Sequence, residues 1–186
     1  DKGYDMNPKE SKTTLCTILD NVLDADMYAI VDWHTLWDHD PNIYVDEAVD
    51  FFADISNKYA AEPGVIYEIC NEPNGDTTWE DVKKYADKVI PAIRNNSPNA
   101  IIIIGTPNYA TDLRGPIEDP LTYENVMYSY HYYAEYAGSN YELLKAAVLS
   151  ETPVFVSEWG TGESNNKLQQ ALWIANCEEL ADYMYE

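Results

Sequence analysis

Two glutamates stand at the ends of short apolar runs, Glu72 in Asn71-Glu72-Pro73 and Glu158 in Ser157-Glu158-Trp159-Gly160. Two further runs finish in Asp32-Trp33-His34 and in His131-Tyr132-Tyr133. Paired carboxyls can act on one bond as proton donor and nucleophile, provided that one is protonated while the other is ionised. Taken singly, each residue has an ordinary structural explanation: a strand-end glutamate is commonly a surface group, a histidine a satisfied interior group, a tryptophan core. What carries weight is that two glutamates, two histidines, an asparagine and a tyrosine fall at equivalent places along the chain.

The elements that must position them alternate. Short β-branched runs cover 28–34, 65–72, 101–107, 126–133 and 154–160, and near-continuous apolar runs of this kind read as strands of a parallel sheet covered on its outer side. Amphipathic helices lie between. The first is expected to start at Asn7 as N-cap with Pro8 behind it, burying Leu15, Ile18, Leu19 and Val22. A second stripe runs through Val45, Ala48, Val49, Phe52 and Tyr59. A third follows a capping box predicted at Thr77 and Glu80, with Val82, Tyr85, Ala86, Val89 and Ile93 on its apolar face. Two more are predicted near Tyr141 to Leu149 and Leu168 to Tyr183, and the connection after Pro107 is irregular.

Regular βα alternation admits a closed (β/α) barrel or an open doubly wound sheet. No GxGxxG or GxxxxGK[ST] string is present, which disfavours a nucleotide-binding sheet and leaves the barrel. In a barrel, reacting groups come from the C-terminal ends of several strands. Side chains alternate across a strand, so Ser129, His131 and Tyr133 share a face, as do Glu68, Cys70 and Glu72, and Asp32 with His34. Assigning those faces to the interior puts Asp32 and Glu68 beneath the upper layer, where each needs a cation or a hydrogen-bond partner.

Acidic residues outnumber basic ones 33 to 11, a net charge of −22 that argues against nucleic acid, an anionic membrane or an acidic polymer as partner. A neutral substrate remains compatible. No apolar stretch approaches the roughly 20 residues that span a bilayer, and no signal peptide is visible. Cys16, Cys70 and Cys177 form no CxxC pair and read as buried free thiols. No motif for a metal or organic cofactor is present. Sixteen Tyr and 5 Trp against 3 Phe suit an aromatic-lined, wet groove.

The strings VDWH (31–34), YEICNEPNG (67–75), HYY (131–133) and VSEWGT (156–161), with GYDMNP, VIPAIRNNSPNAIIIIGTP and PLTYENVMYSYHYYA between them, closely resemble glycoside hydrolase family 5. The bacterial endo-β-1,4-glucanase branch is the nearest match, and the likeness covers essentially the whole chain. It implies an α/β fold, a (β/α)8 TIM barrel, with residues 1–186 as one catalytic domain. It also implies retaining hydrolysis of internal β-1,4 bonds in cellulose or a related β-glucan, secretion to the extracellular space and no cofactor. By the same resemblance Glu72 is the acid/base and Glu158 the nucleophile. Asn71 contacts the sugar 2-hydroxyl, His34 and His131 contact sugar or orient the acid/base, and Tyr133 holds the nucleophile. Trp37 and Tyr109 are the expected stacking rings, although the branch commonly has Trp where this chain has Tyr109. Trp33 and Trp79 are assigned to packing, and Trp159 stays ambiguous.

A barrel of this type has eight strands in about 250 residues, whereas five are legible here. They correspond to the third through seventh, so the first two, one bearing an arginine beside the nucleophile, and the last, bearing a stacking tryptophan, are expected to be missing. The expectation is that the chain either pairs with another copy of itself through the exposed sheet edges or is a partial record of a longer gene. The alternatives are a β-mannanase or xyloglucanase of the same clan, a sugar-binding fragment without turnover, and a nucleotide-binding α/β module.

Overall fold

The computed structural model describes residues 4, 6–34, 36–137, 142–162 and 166–185. The order is α1 (Pro8–Asp24), β1 (Ala29–Asp32), a 3-10 turn (Pro41–Tyr44) leading into α2 (Val45–Lys58), β2 (Val65–Glu68), α3 (Trp79–Arg94) and β3 (Ile102–Gly105). After two short helical segments, Pro107–Ala110 and Arg114–Glu118, come β4 (Val126–Tyr133), the turn Ala134–Ala137, α4 (Glu142–Leu149), β5 (Val154–Gly160) and α5 (Lys167–Tyr185). Tyr141, expected at the start of α4, lies outside the described residues.

All five strands are parallel and lie side by side in sequence order. A doubly wound sheet would reverse that order at a switch point. Unreversed order instead makes each connection advance the sheet the same way, and the five strands form a sector of a (β/α) barrel.

The strands at the start of the chain are shorter than their apolar runs. β1, β2 and β3 have four residues each, so His34, Glu72 and Pro107 lie past the ladder. Ile69 and Cys70 are nonetheless fully buried, and isolated bonds continue upward, Ile69 N–H to Ile103 O at 2.9 Å and Gly105 N–H to Cys70 O at 2.9 Å. The apolar run therefore tracks burial, which persists where regular pairing has stopped.

Two expected caps move. Asn7 precedes α1 with Pro8 at N1, but its side chain caps nothing. The capping box of α3 pairs Thr78 with Asp81, not Thr77 with Glu80. Thr77 Oγ1 is committed elsewhere, donating to the carbonyl of His39 at 3.1 Å.

The outer layer is packed as the apolar stripes require, except on α1, where Leu19 is buried but Ile18, expected on the same buried face, is exposed. Val82, Tyr85, Ala86, Val89, Ile90 and Ile93 of α3 are fully buried, and each large one contributes about 1.5–3 kcal/mol by leaving water. Tyr85 OH donates to Ile69 O at 2.5 Å, tying α3 to the chain just beyond β2. Trp33 packs outward among Tyr4, Phe51 and Phe52, at ring-centroid distances of 5.0 to 6.3 Å. Trp79 lies edge-on to Tyr128 and donates to Asp119 O at 2.9 Å. The thiols are free, with Cys70 and Cys177 buried; Cys16, expected to be buried, is only partly so, packed against the edge of the core.

The pairing of β4 with β5 contains a bulge. Ser129 is opposite Phe155, but His131 is opposite Glu158, so β5 uses one residue more than β4 over this step. A bulge of this kind resets which side chains face the interior.

Candidate active site

The upper ends of β1, β2, β4 and β5 deliver the polar groups to one place. From β2, the chain leaves the ladder through Cys70, Asn71 and Glu72. Gly105 makes that path possible: a Cβ there would lie 2.3 Å from Cys70 O and 2.4 Å from Asn71 O. Beyond Glu72, Asn74 Nδ2 donates to Glu72 O at 2.8 Å and to Leu36 O at 3.2 Å, fastening the turn.

His131 is the centre of the cluster and is 2 % exposed. Its Nδ1 is 2.9 Å from Glu72 Oε1 and 3.9 Å from Glu158 Oε2. One oxygen of each glutamate and a nitrogen of His131 all lie within 4.8 Å of one another. Tyr133, two residues along the same face of β4, donates its hydroxyl to Glu158 Oε1 at 2.5 Å. That leaves Glu158 Oε2 as the oxygen on the His131 side.

Beneath this layer the buried Glu68 and the half-buried Asp32 each find a hydrogen-bond partner. Glu68 Oε1 accepts from Ser157 Oγ at 2.7 Å; Ser157 Oγ is also 3.1 Å from His131 Nε2 and 2.6 Å from Ser129 Oγ. Burial pushes the Glu68 carboxyl above the usual range, opposed by the hydrogen bond from Ser157. Asp32 Oδ2 is 2.7 Å from His34 Nδ1, while its Oδ1 has no hydrogen-bond partner among the described residues. Burial raises the Asp32 carboxyl, and its bond to His34 works against that. For His34, burial disfavours the charged ring, but the hydrogen bond to Asp32, with the charges of Asp32, Glu158 and Glu72, outweighs it and raises the imidazole above its ordinary value. His34 Nε2 is 3.4 Å from Asn71 Nδ2.

The structure thus brings together Glu72, Glu158, His131 and Tyr133, with Asn71 and His34 alongside. The two stacking candidates are accessible at the margins of this group. Trp37 is 88 % exposed and lines a cleft of about 490 Å³ with Asp32, Trp33, His34 and Leu36. Tyr109 is 51 % exposed, in a left-handed turn where Asn108, Tyr109 and Ala110 have φ of 57°, 61° and 54°. Its N–H reaches back to Pro73 O at 3.0 Å, so this strained turn braces the Glu72 loop. Trp159 is in register with Tyr132 and exposed.

Ser157 was not a candidate from sequence. Strict alternation puts it opposite Glu158, and only the bulge turns both inward.

Glu72, His131 and Glu158 are also the one group of histidine, cysteine and acidic donors among the described residues close enough to reach a single ion. With His131 Nδ1 and Glu72 already sharing one hydrogen bond and no fourth donor grouped with them among the described residues, the set suits proton transfer between a carboxyl pair better than a closed metal shell. One carboxylate oxygen of each glutamate lies within 4.8 Å of the other, and a pair acting as acid and nucleophile on one bond stands about 5 to 5.5 Å apart.

A family model described as "Cellulase (glycosyl hydrolase family 5)" matches residues 1–186. Among curated proteins the chain is similar to Endoglucanase A of Butyrivibrio fibrisolvens, 45 % identical over 190 residues, which is 99 % of this chain and 42 % of that protein. Among solved structures it is similar to a cellulase at a TM-score of 0.85 and 38 % identity, covering 98 % of this chain and 58 % of that one. It is likewise similar to a variant of the Thermobifida fusca endoglucanase catalytic domain in complex with cellotetraose, at 0.82 and 35 %, covering 96 % and 62 %. The chain therefore spans about two fifths of the length of curated relatives and about three fifths of the solved ones. No described helix is long and apolar enough to cross a membrane.

Proposed function

The chain belongs to glycosyl hydrolase family 5, the cellulase family, and on that premise we propose that residues 1–186 carry the two catalytic carboxyls of a retaining endo-β-1,4-glucanase. The observation that carries this reading is the meeting of Glu72 and Glu158 about one His131 nitrogen, with Tyr133 bound to Glu158.

Glu72 is the acid: it gives its proton to the glycosidic oxygen as Glu158 Oε2 attacks the anomeric carbon, so the C–O bond breaks and a glycosyl ester forms. Tyr133 supports this by holding Oε1 in its ionised form while leaving Oε2 free. Esterification removes the charge on Glu158. Glu72, now a carboxylate, takes a proton from water, which attacks the same carbon and releases Glu158 with net retention. Asn71, held by His34, is placed to bind the sugar 2-hydroxyl, a bond that strengthens as oxocarbenium character develops.

The proposed substrate is a neutral β-1,4-glucan, which suits a chain of charge −22. Trp37 and Tyr109, both accessible, are the stacking rings of its outer subsites. The proposed site of action is extracellular, where such a polymer is met.

Incubation with a 2-deoxy-2-fluoro-cellobiosyl fluoride, followed by peptide mass spectrometry, tests the assignment. A covalent label on the peptide containing Glu158 is expected, and label on any other carboxyl overturns it.

A further inference from the structure

The two-glutamate scheme makes no use of Glu68, yet this buried acid ends an unbroken row of contacts leading to Glu72. The row runs from Glu68 Oε1 to Ser157 Oγ at 2.7 Å, on to His131 Nε2 at 3.1 Å, and from His131 Nδ1 to Glu72 Oε1 at 2.9 Å. Ser129 Oγ joins it from the side, 2.6 Å from Ser157 Oγ.

Counting protons along the row fixes their places. A hydroxyl has one proton and two lone pairs, and an ionised carboxylate only accepts. Glu68 therefore takes the proton of Ser157. Ser157 Oγ, its one proton given to Glu68, can then only accept from His131, whether Ser129 donates to Ser157 or to Glu68, so the neutral ring carries its proton on Nε2. Nδ1 is left as a lone pair, and its contact with Glu72 is a hydrogen bond only when Glu72 supplies the proton.

We infer that Glu68 is a positioning residue: acting through Ser157, it holds His131 in the Nε2–H tautomer and thereby reserves the proton of the Glu72–His131 contact for Glu72. The inference refines the role given above to Glu72 and rests on that reading for its catalytic meaning. Its structural content is independent of turnover.

The reverse arrangement is reached by three coupled shifts. The Glu72 O–H breaks as Nδ1–H forms, Nε2–H breaks as a new Ser157 O–H forms, and the old Ser157 O–H breaks as Glu68 becomes protonated. Nothing enters or leaves, and one negative charge passes from Glu68 to Glu72. In that state Glu72 has no proton to give a leaving group. With no acceptor at position 68 the Ser157 hydroxyl turns toward Nε2, the ring gives up its Nε2 proton to solvent and takes the Glu72 proton on Nδ1, so the ring ends as Nδ1–H beside an ionised Glu72.

The tautomer is read directly by long-range proton–nitrogen correlation on the chain labelled with nitrogen-15 histidine. There are only three histidines, His34, His39 and His131, and loss of one signal in His131→Asn assigns the third. At neutral pH the wild-type chain is expected to show His131 as neutral Nε2–H. Glu68→Gln is expected to keep that pattern, since the amide carbonyl still accepts from Ser157. Glu68→Leu and Ser157→Ala are expected to convert it to Nδ1–H. The His34 signal, set by Asp32, should stay unchanged in all variants and certifies the fold of each. Should leucine at 68 disturb packing, Ser157→Ala, which only removes an oxygen, gives the same reading. His131 found as Nδ1–H or as imidazolium in the wild type, or as unchanged Nε2–H in every variant, overturns the proposal. None of these outcomes depends on glycosyl labelling, so this idea and the assignment of Glu158 fail separately.

Discussion

Ser157 and Glu158 are consecutive in sequence, yet both side chains work on the inner side of the sheet, Ser157 with Glu68 and His131, and Glu158 with Tyr133. The extra residue that β5 uses against β4 between the Ser129 and His131 positions is the cause. It sets a floor of hydroxyl and acid beneath a pair of carboxyls, and the chemistry proposed for the upper layer leans on both.

Tyr133→Phe isolates the support given to the nucleophile. The ring is kept and one hydrogen bond to a charged group is lost, worth about 1.5–3 kcal/mol. We expect glycosylation of Glu158 to slow by roughly 10- to 100-fold, read as the rate of covalent labelling by the fluorosugar. An unchanged rate would remove Tyr133 from the mechanism.

Stability should respond to pH through Glu68. Its folded-state value lies above the ordinary one because of burial, so the folded form binds more protons than the unfolded form between those two values. Stability attributable to this group is thus highest in acid and falls as pH rises through the window. Glu68→Gln is expected to melt at a higher temperature than wild type at neutral pH, with the gap closing below the ordinary carboxylate range. Thermal melts across that range check the sign, and a gap that widens in acid contradicts it.

The α3 cap separates two neighbouring threonines. Thr78 accepts from Asp81 N–H in a reciprocal box, whereas the Thr77 hydroxyl donates to the His39 carbonyl. Thr78→Ala should cost about 1 kcal/mol, equivalent to a fall of roughly 2–4 °C in Tm for a chain of this size. Thr77→Ala should leave α3 intact; equal losses in both would show that the loop, not the cap, sets the cost.

Self-association is expected through the outer strands of the sheet. Among the described residues β1 and β5 each have one sheet neighbour, and Tyr28 and Trp159 beside them are exposed. Sedimentation should show a weight-average mass that climbs with concentration in the micromolar range. A sharp monomer boundary throughout, with one cooperative melt, would count against it.

Much of this arrangement could be read from the chain. Asn71-Glu72-Pro73 and Ser157-Glu158-Trp159 announce themselves because titratable groups interrupt runs that are otherwise apolar, and alternation correctly joined His131 with Tyr133. The place of Ser157 could not be read, since an inserted residue reverses alternation without changing composition. The α3 cap slipped by one because Thr77-x-x-Glu80 and Thr78-x-x-Asp81 fit the same pattern; which hydroxyl was free depended on the distant His39 carbonyl. Trp37 and Tyr109 are named by resemblance, because nothing in their own sequence neighbourhoods marks them as stacking rings.

Gly105 offers no atom to any reaction, yet the backbone of the Glu72 strand lies so close over it that a single methyl would collide with two carbonyl oxygens. Saturation mutagenesis scored on glucan clearing should therefore find position 105 as intolerant as the two acids. A reader ranking positions by sensitivity alone would count it among the reactive groups, when its whole contribution is to be the absence of a side chain.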